Sequence, residues 1–318
     1  MPDTPPVTKL AEDSRAYRRT FFPFPDGRSA FKAILQDLDW SAGRVLLLPA
    51  YIGWSSREGS GVFDPVRETA IPYRFYRTTP ALAVDVDHFA DQVEAHPGAA
   101  VLLIHYFGRV DPSYRVLIDL VQASGGELIE DEAHAALTDL AGGHSGRGGK
   151  HAFLSWHKFL PVAGGGARII NGPGLDRRPS LLPELQTWDF QGIARARIRN
   201  FEILADLLGP HQDLVQPLWS RLEPGEVPQT FPVLLHPADG TRTLRDQVYD
   251  RMNQLGFGVV SLYHTLISEL EPTLFPASFF LADRILNLPV HQDVPPGRLP
   301  ALVEALVAQI RCLGEARG

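Results

Sequence analysis

The sequence predicts an α/β protein: a large domain built on a mostly parallel sheet, followed by a smaller α+β domain at the C-terminal end. Three observations predict it. Short apolar strands alternate with helices from about residue 29 to residue 170, which implies a parallel sheet covered by helices on both faces. Residues suited to chemistry fall just after strands, where such sheets gather ligands. After Gly172 that regular alternation stops. The chain is accordingly divided into an N-terminal extension (1–20), a large domain (21–200) and a small C-terminal domain (201–318).

From Ser29 to about Leu38, apolar residues recur at helical spacing (Ala30, Ile34, Leu35, Leu38), directly after Asp26-Gly27. Arg44 to Pro49 reads as a buried strand ending at a proline, and Glu68 to Tyr76 holds a weaker one. Asp85 to His96 reads as a helix. Ala99 to His105 is a near-continuous apolar run suited to a strand buried on both faces. Tyr114 to Ser124 is a helix stopped by Gly125-Gly126, and Glu127 to Asp131 is a short strand whose end carries acids. Phe153 to Ser155 and Ala167 to Ile170 are two more strands joined by a Gly-rich turn. Beyond Gly172, Leu185 to Leu208 is an Arg-rich helix. Phe231 to His236, Gly258 to Leu262 and Ile285 to Pro289 read as strands, and Thr243 to Leu255 and Arg298 to Cys312 as helices.

The bulk composition bounds the function. Hydrophobic residues make up 44% and charged residues 21% of the 318, as in ordinary soluble globular chains. A net charge of −7 with no basic run carries no footprint for nucleic acid or an anionic membrane. Cys312 is alone, which excludes an intramolecular disulfide and leaves too few thiols for a structural zinc site. No apolar run is long enough to span a bilayer. Met1-Pro2-Asp3-Thr4-Pro5-Pro6 lacks the basic start and apolar core of a signal peptide, so the expected location is the cytoplasm. Of 30 basic residues only Lys9, Lys32, Lys150 and Lys158 are lysine. A lysine kept in so arginine-rich a chain points to a task arginine cannot perform, such as offering an amine that can lose its proton.

The densest group of reactive residues is Glu130-Asp131-Glu132-Ala133-His134 followed by Ser155-Trp156-His157-Lys158 and Gly164-Gly165-Gly166. Pyridoxal 5'-phosphate (PLP) chemistry needs an amine to form a Schiff base with the cofactor aldehyde. It also needs a carboxylate facing the pyridine nitrogen. Lys158 and Asp131 fit those roles; the plainer alternatives are a solvated loop lysine and a helix N-cap. Gly27-Arg28-Ser29-Ala30, opening the first helix, offers backbone N–H groups for a phosphate, as many Gly-Ser helix starts do. Ser155 could add a hydroxyl to the same phosphate. Trp54 and Tyr51 follow a strand and are candidates to stack on the pyridine face, against the plainer reading of aromatic packing. His157 reads as a pocket-wall residue rather than a proton shuttle. Most of the Arg195, Arg197 and Arg199 series reads as surface charge, because alternate helix residues face different ways. No metal ligands are expected.

These residues fall in an ordered series that resembles the DegT/DnrJ/EryC1/StrS family of sugar aminotransferases. The series runs through Gly27-Arg28-Ser29-Ala30, Leu48-Pro49-Ala50-Tyr51, His105-Tyr106-Phe107-Gly108, Ile129 to His134, and Ser155 to Gly166. It continues in Gly256 to Val260 and Leu286 to His291. The resemblance implies the aspartate-aminotransferase fold (PLP fold type I) and a homodimer with active sites at its interface. It also implies Asp131 on the pyridine nitrogen, His134 near the phenolic oxygen and Lys158 as the Schiff-base lysine. Ser155 and the Gly27–Ala30 turn would hold the phosphate, with Trp54 as the stacking ring. The implied reaction moves an amino group from an amino acid donor, glutamate by resemblance, to a keto acceptor such as a nucleotide-linked keto-sugar. Ser155 and Lys158 are closer together than in many relatives, and Asn171 to Gln191 does not follow the family pattern. A relative that dehydrates sugars would carry histidine in place of the lysine. A PLP-dependent lyase or decarboxylase, and an inactive regulatory or structural member of the fold, are the alternative readings.

Overall fold

The computed structural model describes residues 18–172, 187–236 and 242–315. Positions 1–17, most of Asn171 to Gln191, and the first residues of the helix expected from Leu185 lie outside the described residues. Among the described residues the first part of the chain contains β1 (Arg18–Phe24), α1 (Gly27–Asp37), β2 (Leu46–Pro49), α2 (Phe63–Thr69), β3 (Tyr73–Tyr76) and α3 (Val86–Ala95). It goes on through β4 (Ala100–Ile104), α4 (Tyr114–Ala123), β5 (Glu127–Asp131), α5 (Ala136–Leu140), β6 (His151–Ser155) and β7 (Gly166–Gly172). The seven strands form one sheet in the order β1-β7-β6-β5-β4-β2-β3. Pairings from β2 through β6 are parallel, whereas β7 is antiparallel to both β6 and β1. This is the large, mostly parallel sheet expected from the sequence.

The burial of β2 and β4 follows from covering both faces. Leu46, Leu48, Ala100 and Leu102 pack with Phe31, Ile34 and Leu35 of α1. The alternate residues Leu47, Val101 and Leu103 pack with Phe89 and Val93 of α3 and Leu117 and Val121 of α4. With no face left for water, these strands read as apolar runs rather than alternating ones.

The later part contains α6 (Phe190–Leu208), β8 (Val215–Pro217), β9 (Thr230–Leu235), α7 (Arg242–Gln254), α8 (Pro276–Arg284), β10 (Ile285–Pro289) and α9 (Leu299–Glu315). The three strands form an antiparallel sheet, β10-β9-β8. Phe231, Val233 and Leu235 of β9 and Leu286 and Leu288 of β10 pack with side chains of α6, α7 and α9 in a second core. No helix among the described residues is long and apolar enough to cross a membrane.

Three expectations are corrected. The strand expected over Gly258–Leu262 is absent: Val260 makes one isolated bridge to Asn287. Positive φ at Gly256 (+80°), Gly258 (+61°) and Tyr263 (+58°) turns the backbone out of extension. The segment Glu68–Tyr76 is a strand only from Tyr73, because Glu68 and Thr69 end α2. Finally, β1 begins at Arg18, inside the segment expected to be an extension.

The turn joining β6 to β7 locks onto the start of α1. Gly165 N–H donates to the Pro25 carbonyl (2.7 Å) and Trp156 N–H to the Gly165 carbonyl (2.9 Å). The backbone of Gly166 lies so close to Asp26 and Gly27 that a Cβ there would collide with the Asp26 carbonyl carbon and the Gly27 nitrogen. Gly166→Ala is expected to lower stability by about 1–3 kcal/mol, the usual cost of overpacking. Gly61→Ala, where a Cβ meets nothing within 4 Å, is the control, expected to change it by less than about 0.5 kcal/mol. Urea unfolding midpoints of the two variants check this.

Candidate active site

The end of β5 carries three successive buried carboxylates: Glu130 and Glu132 are fully buried and Asp131 is 4% exposed. Strand alternation sends Glu130 and Glu132 one way and Asp131 the other. The Glu130 carboxylate accepts from the Tyr114 hydroxyl (2.6 Å) and from the backbone N–H groups of Gly146, Gly148 and Gly149 (3.0, 2.8 and 2.7 Å). The His105 ring nitrogen Nε2 lies 2.8 Å away. Burial alone would push the Glu130 carboxyl up, but His105, Tyr114 and the Gly149 amide outweigh it and hold the group below the usual range. Glu132 pairs with Arg19 of β1 and accepts from the Ser145 hydroxyl (2.9 Å).

Asp131 has no such partner. One carboxylate oxygen accepts the Ala133 N–H (2.8 Å), and among the described residues it makes no ion pair within 4 Å. Burial pushes its carboxyl up to about 6, against the opposing pull of the Ala133 amide, His105 and Lys158. The charge of Lys158 is thus felt at Asp131, and also at His134 and His157. Lys158 ends a 3-10 turn, Trp156–Lys158, that directly follows β6. Lys158, 27 residues beyond Asp131 in sequence, is thus near enough for its charge to act on Asp131 and His134.

Ser155 and the α1 turn also come together, since a Cβ on Gly27 would sit 3.3 Å from Ser155 Cβ and 3.1 Å from the Leu154 carbonyl oxygen. The expected phosphate turn is not entirely open. Asp26 caps α1, its carboxylate accepting the Ser29 N–H (2.7 Å), while its carbonyl accepts the Ala30 N–H (3.2 Å). Arg28 donates to the Glu58 carbonyl and lies 3.5 Å from Asp64. His157 is exposed, and its Nδ1 lies 3.1 Å from the Ser155 hydroxyl.

The His134 ring is buried, and burial followed by the Lys158 charge lowers its basicity well below the ordinary value. The Phe107 N–H points at its Nδ1 (3.5 Å), so Nδ1 accepts and the proton belongs on Nε2. His134 is then a neutral N–H donor. Its ring stacks on Phe107 at 5.7 Å. The two aromatic candidates separate. Tyr51 is fully buried, whereas Trp54 is 41% exposed. The backbone of Trp54 is fixed by donating to the Thr265 carbonyl (2.9 Å).

Two contributors were not anticipated. Tyr263 stacks on Tyr51 (5.2 Å) and meets His134 edge-on (5.7 Å), at a left-handed backbone position against Gly53. It lies one residue beyond the strand expected over Gly258–Leu262. Arg195 and Arg199 face solvent, as expected for most of that series, but Arg197 is 2% exposed. Its guanidinium donates to the carbonyls of Phe159 (3.3 Å) and Gln229 (3.0 Å), bracing the residue after Lys158. Ile193, Ala194, Asn200, Phe201 and Leu204 share its buried face, a periodicity visible in the sequence.

A carboxyl raised on folding favours the folded state while protonated, and that advantage is lost as pH rises through the folded value. A rise from 3.8 to about 6 at Asp131 corresponds to at most about 3 kcal/mol. Cofactor-free Asp131→Asn is therefore expected to be more stable than the parent at pH 8, with the difference vanishing below pH 4. Urea melts across that range check it; an Asn variant less stable at pH 8 than at pH 4, relative to the parent, would sink the argument.

Comparison with known proteins follows from this geometry. Residues 77–185 match the model of the DegT/DnrJ/EryC1/StrS aminotransferase family, a stretch that contains Asp131, His134, Ser155 and Lys158. No curated protein matches the chain. Among solved structures, the PMP form of the Streptococcus pneumoniae protein Spr1654 superposes with a TM-score of 0.74 at 13% identity, covering 94% of this chain and 88% of that one. Helicobacter pylori PseC, an aminotransferase of pseudoaminic acid biosynthesis, gives 0.74 at 13% identity, with 92% and 87% covered. A 3-amino-5-hydroxybenzoic acid synthase gives 0.72 at 16%, with 92% and 86% covered. At these identities the likeness carries the fold. Fold type I, and a resemblance to the DegT/DnrJ/EryC1/StrS aminotransferases carried by residues 77–185, are the identity that structure and sequence together give this chain.

Proposed function

We propose that this chain is a PLP-dependent aminotransferase that moves an amino group from an amino acid, glutamate by resemblance, to a keto acceptor of the nucleotide-linked keto-sugar class. The observation that carries this reading is Asp131, a desolvated carboxylate with one backbone donor, no ion pair among the described residues, and the Lys158 charge within reach. A buried acid so placed calls for a cation, and the protonated pyridine nitrogen of PLP is one. The chain works as a homodimer in the cytoplasm in this reading, with the large domain at 21–200 and the small domain at 201–318. The neighbouring Spr1654 structures include both a PLP and a PMP form, in line with a cofactor that alternates between the two.

The residues present fit the group. Asp131 would face the ring nitrogen, His134 the phenolic oxygen, and Lys158 would hold the cofactor carbon. Ser155 with Gly27, Arg28, Ser29 and Ala30 would take the phosphate, which has to displace the Asp26 carboxylate from the Ser29 N–H, and Trp54 would cover the ring. PLP bound there supplies an aldehyde that condenses with amines and a ring that takes up electrons. With its amine free, Lys158 Nζ would be the base that takes the proton from the substrate α-carbon and, as the resulting ammonium, the acid that gives that proton back. Asp131 would keep the ring nitrogen protonated. His134, neutral with its proton on Nε2, would donate to the phenolic oxygen without adding charge. Arg197 holds the Phe159 carbonyl, which fixes the backbone next to Lys158.

The test is absorbance of the purified chain with added PLP, before and after borohydride, with peptide mass mapping. A yellow parent whose cofactor becomes fixed to the Lys158 peptide, and no fixation in Lys158→Ala, is the expected result. Addition of glutamate should then convert the absorbance to that of pyridoxamine phosphate, which a lyase need not do. A colourless parent, or fixation on Lys150, would refute the assignment.

A further inference from the structure

A cavity of about 170 Å³ is lined by residues other than Asp131, His134, Ser155 and Lys158. Its floor includes Pro49, Tyr76 and Ile104, the last residues of β2, β3 and β4. In the sheet, β3 lies on one side of β2 and β4 on the other, so the order of strands reverses at this point. The crevice outside such a reversal is where open α/β sheets take ligands. The Asp131–Lys158 chemistry sits further along, at the ends of β5 and β6, and leaves this crevice unassigned.

The cavity is built rather than merely left over. Thr78, 5% exposed, lines it with a hydroxyl that has no hydrogen-bond partner among the described residues. Arg109 lines it with a buried Nε in the same condition. The Arg109 guanidinium lies over Trp219, 4.9 Å from the ring centroid. The carboxylate facing it, Glu226, stands 3.9 Å from Nε, beyond hydrogen-bond distance. Glu226 is already engaged by the N–H groups of Val110 (2.9 Å) and Glu223 (2.8 Å). Asp111, on the same wall, accepts the N–H groups of Val84 and Ser113, both at 2.7 Å. Arg109 is thus a partly buried cation whose ion pair with Glu226 is long (3.9 Å) and whose two acidic neighbours both accept from backbone donors.

The rest of the lining is apolar or aromatic, chiefly Leu103, Tyr106 and Trp219. Residues 78–84 form one wall: Thr78 bridges to Val84, and the Ala81 carbonyl accepts the Trp219 Nε1–H (3.1 Å). Leu82 in this wall is held at φ +56°, a left-handed position that strains a side-chain residue and tends to mark ligand sites. An apolar cavity of roughly 150 Å³ holds one benzene-sized molecule.

We propose that this cavity binds a small monocarboxylic acid with a ring-sized apolar body. The body lies against Leu103, Tyr106 and Trp219, and the carboxylate takes the hydrogen bonds of Arg109 and Thr78. The site is separate from Lys158; Phe107 stands between them, in contact with Trp219 (6.1 Å) on one side and His134 (5.7 Å) on the other.

Titration of 4-fluorobenzoate and of fluorobenzene into the full chain, followed by fluorine NMR without added PLP, tests this independently of the cofactor assignment. Saturable binding of the acid is expected, at least tenfold tighter than the neutral compound. Arg109→Met should abolish that preference, the isosteric Thr78→Val should weaken the acid several-fold, and Lys158→Ala should leave it unchanged within twofold. Absence of saturable binding, equal binding of the two probes, or indifference to both Arg109→Met and Thr78→Val would overturn the proposal. Loss of binding in Lys158→Ala would also overturn it, by placing the acid on the catalytic lysine.

Discussion

Three consecutive carboxylates buried at the end of one strand are an expensive arrangement, since each buried anion costs several kcal/mol unless it is neutralised or hydrogen-bonded. The strand's alternation sorts them. Glu130 and Glu132 turn toward protein that answers them, and Asp131 turns toward the side where Lys158 and His134 lie. The chain has spent backbone amides, a tyrosine, a histidine and an arginine on the first two. Nothing comparable is spent on the third. That asymmetry within three residues sets Asp131 apart from its two neighbours, which are tied into the surrounding structure.

Satisfying Glu130 and Glu132 shapes much of the surrounding chain. The glycines at 146, 148 and 149 can bring their N–H groups onto one carboxylate because side chains there would strike Glu132, Ile118 or the Leu128 backbone. Asn171 in β7 ties the same loop down by donating to the carbonyls of Gly146 (2.7 Å) and Gly149 (2.8 Å). Arg19 reaches Glu132 and Asp139 only because β1 has joined the sheet edge beside β7. Strand β1, the 144–149 loop and β7 are thus linked through β5, and β7 in turn presses its first glycine onto the start of α1. The position of Asp131 relative to the α1 turn is set by this chain of contacts.

Legibility in the sequence followed how local each cause is. Strands β4, β5 and β10 and helices α3 and α4 were readable because burial on both faces, or an amphipathic stripe bounded by Asp85 or Gly125, is written in neighbouring residues. Strand β1 was not, because Arg18–Phe24 is stabilised by pairing with β7, some 150 residues away. The expected strand at Gly258–Leu262 failed for the converse reason: its apolar residues are real, but glycines with positive φ make it a bend that delivers Tyr263 to the site. Asp131, His134, Ser155 and Lys158 were legible as a motif. The engagement of the α1 amides by Asp26 was not, although an Asp before Gly-Arg-Ser is a common helix cap. Arg197 was hidden by its charge, since a guanidinium on a buried helix face becomes credible only once carbonyls at Phe159 and Gln229 are seen to receive it.

The scarcity of lysine gains force from the structure. Lys32 lies on the surface against Glu68 (2.7 Å) and Lys150 on the surface near Glu127 (3.8 Å). Those are ion pairs that an arginine could make equally well, so they say nothing about why lysine is retained. Lys158 differs in kind. It is half-buried, directly after a central strand, and among the described residues it makes no ion pair within 4 Å. A cation placed near a desolvated acid yet not locked to it is a poor stabilising device, because burial costs are incurred without a full pairing to offset them. Its position makes physical sense if the amine has to be free to form and leave a bond, while Asp131 waits for a different cation. The same reasoning separates the Arg109 crevice from the Lys158 site. There the cation is one that cannot give up its proton, which suits holding an anion and not transferring a group.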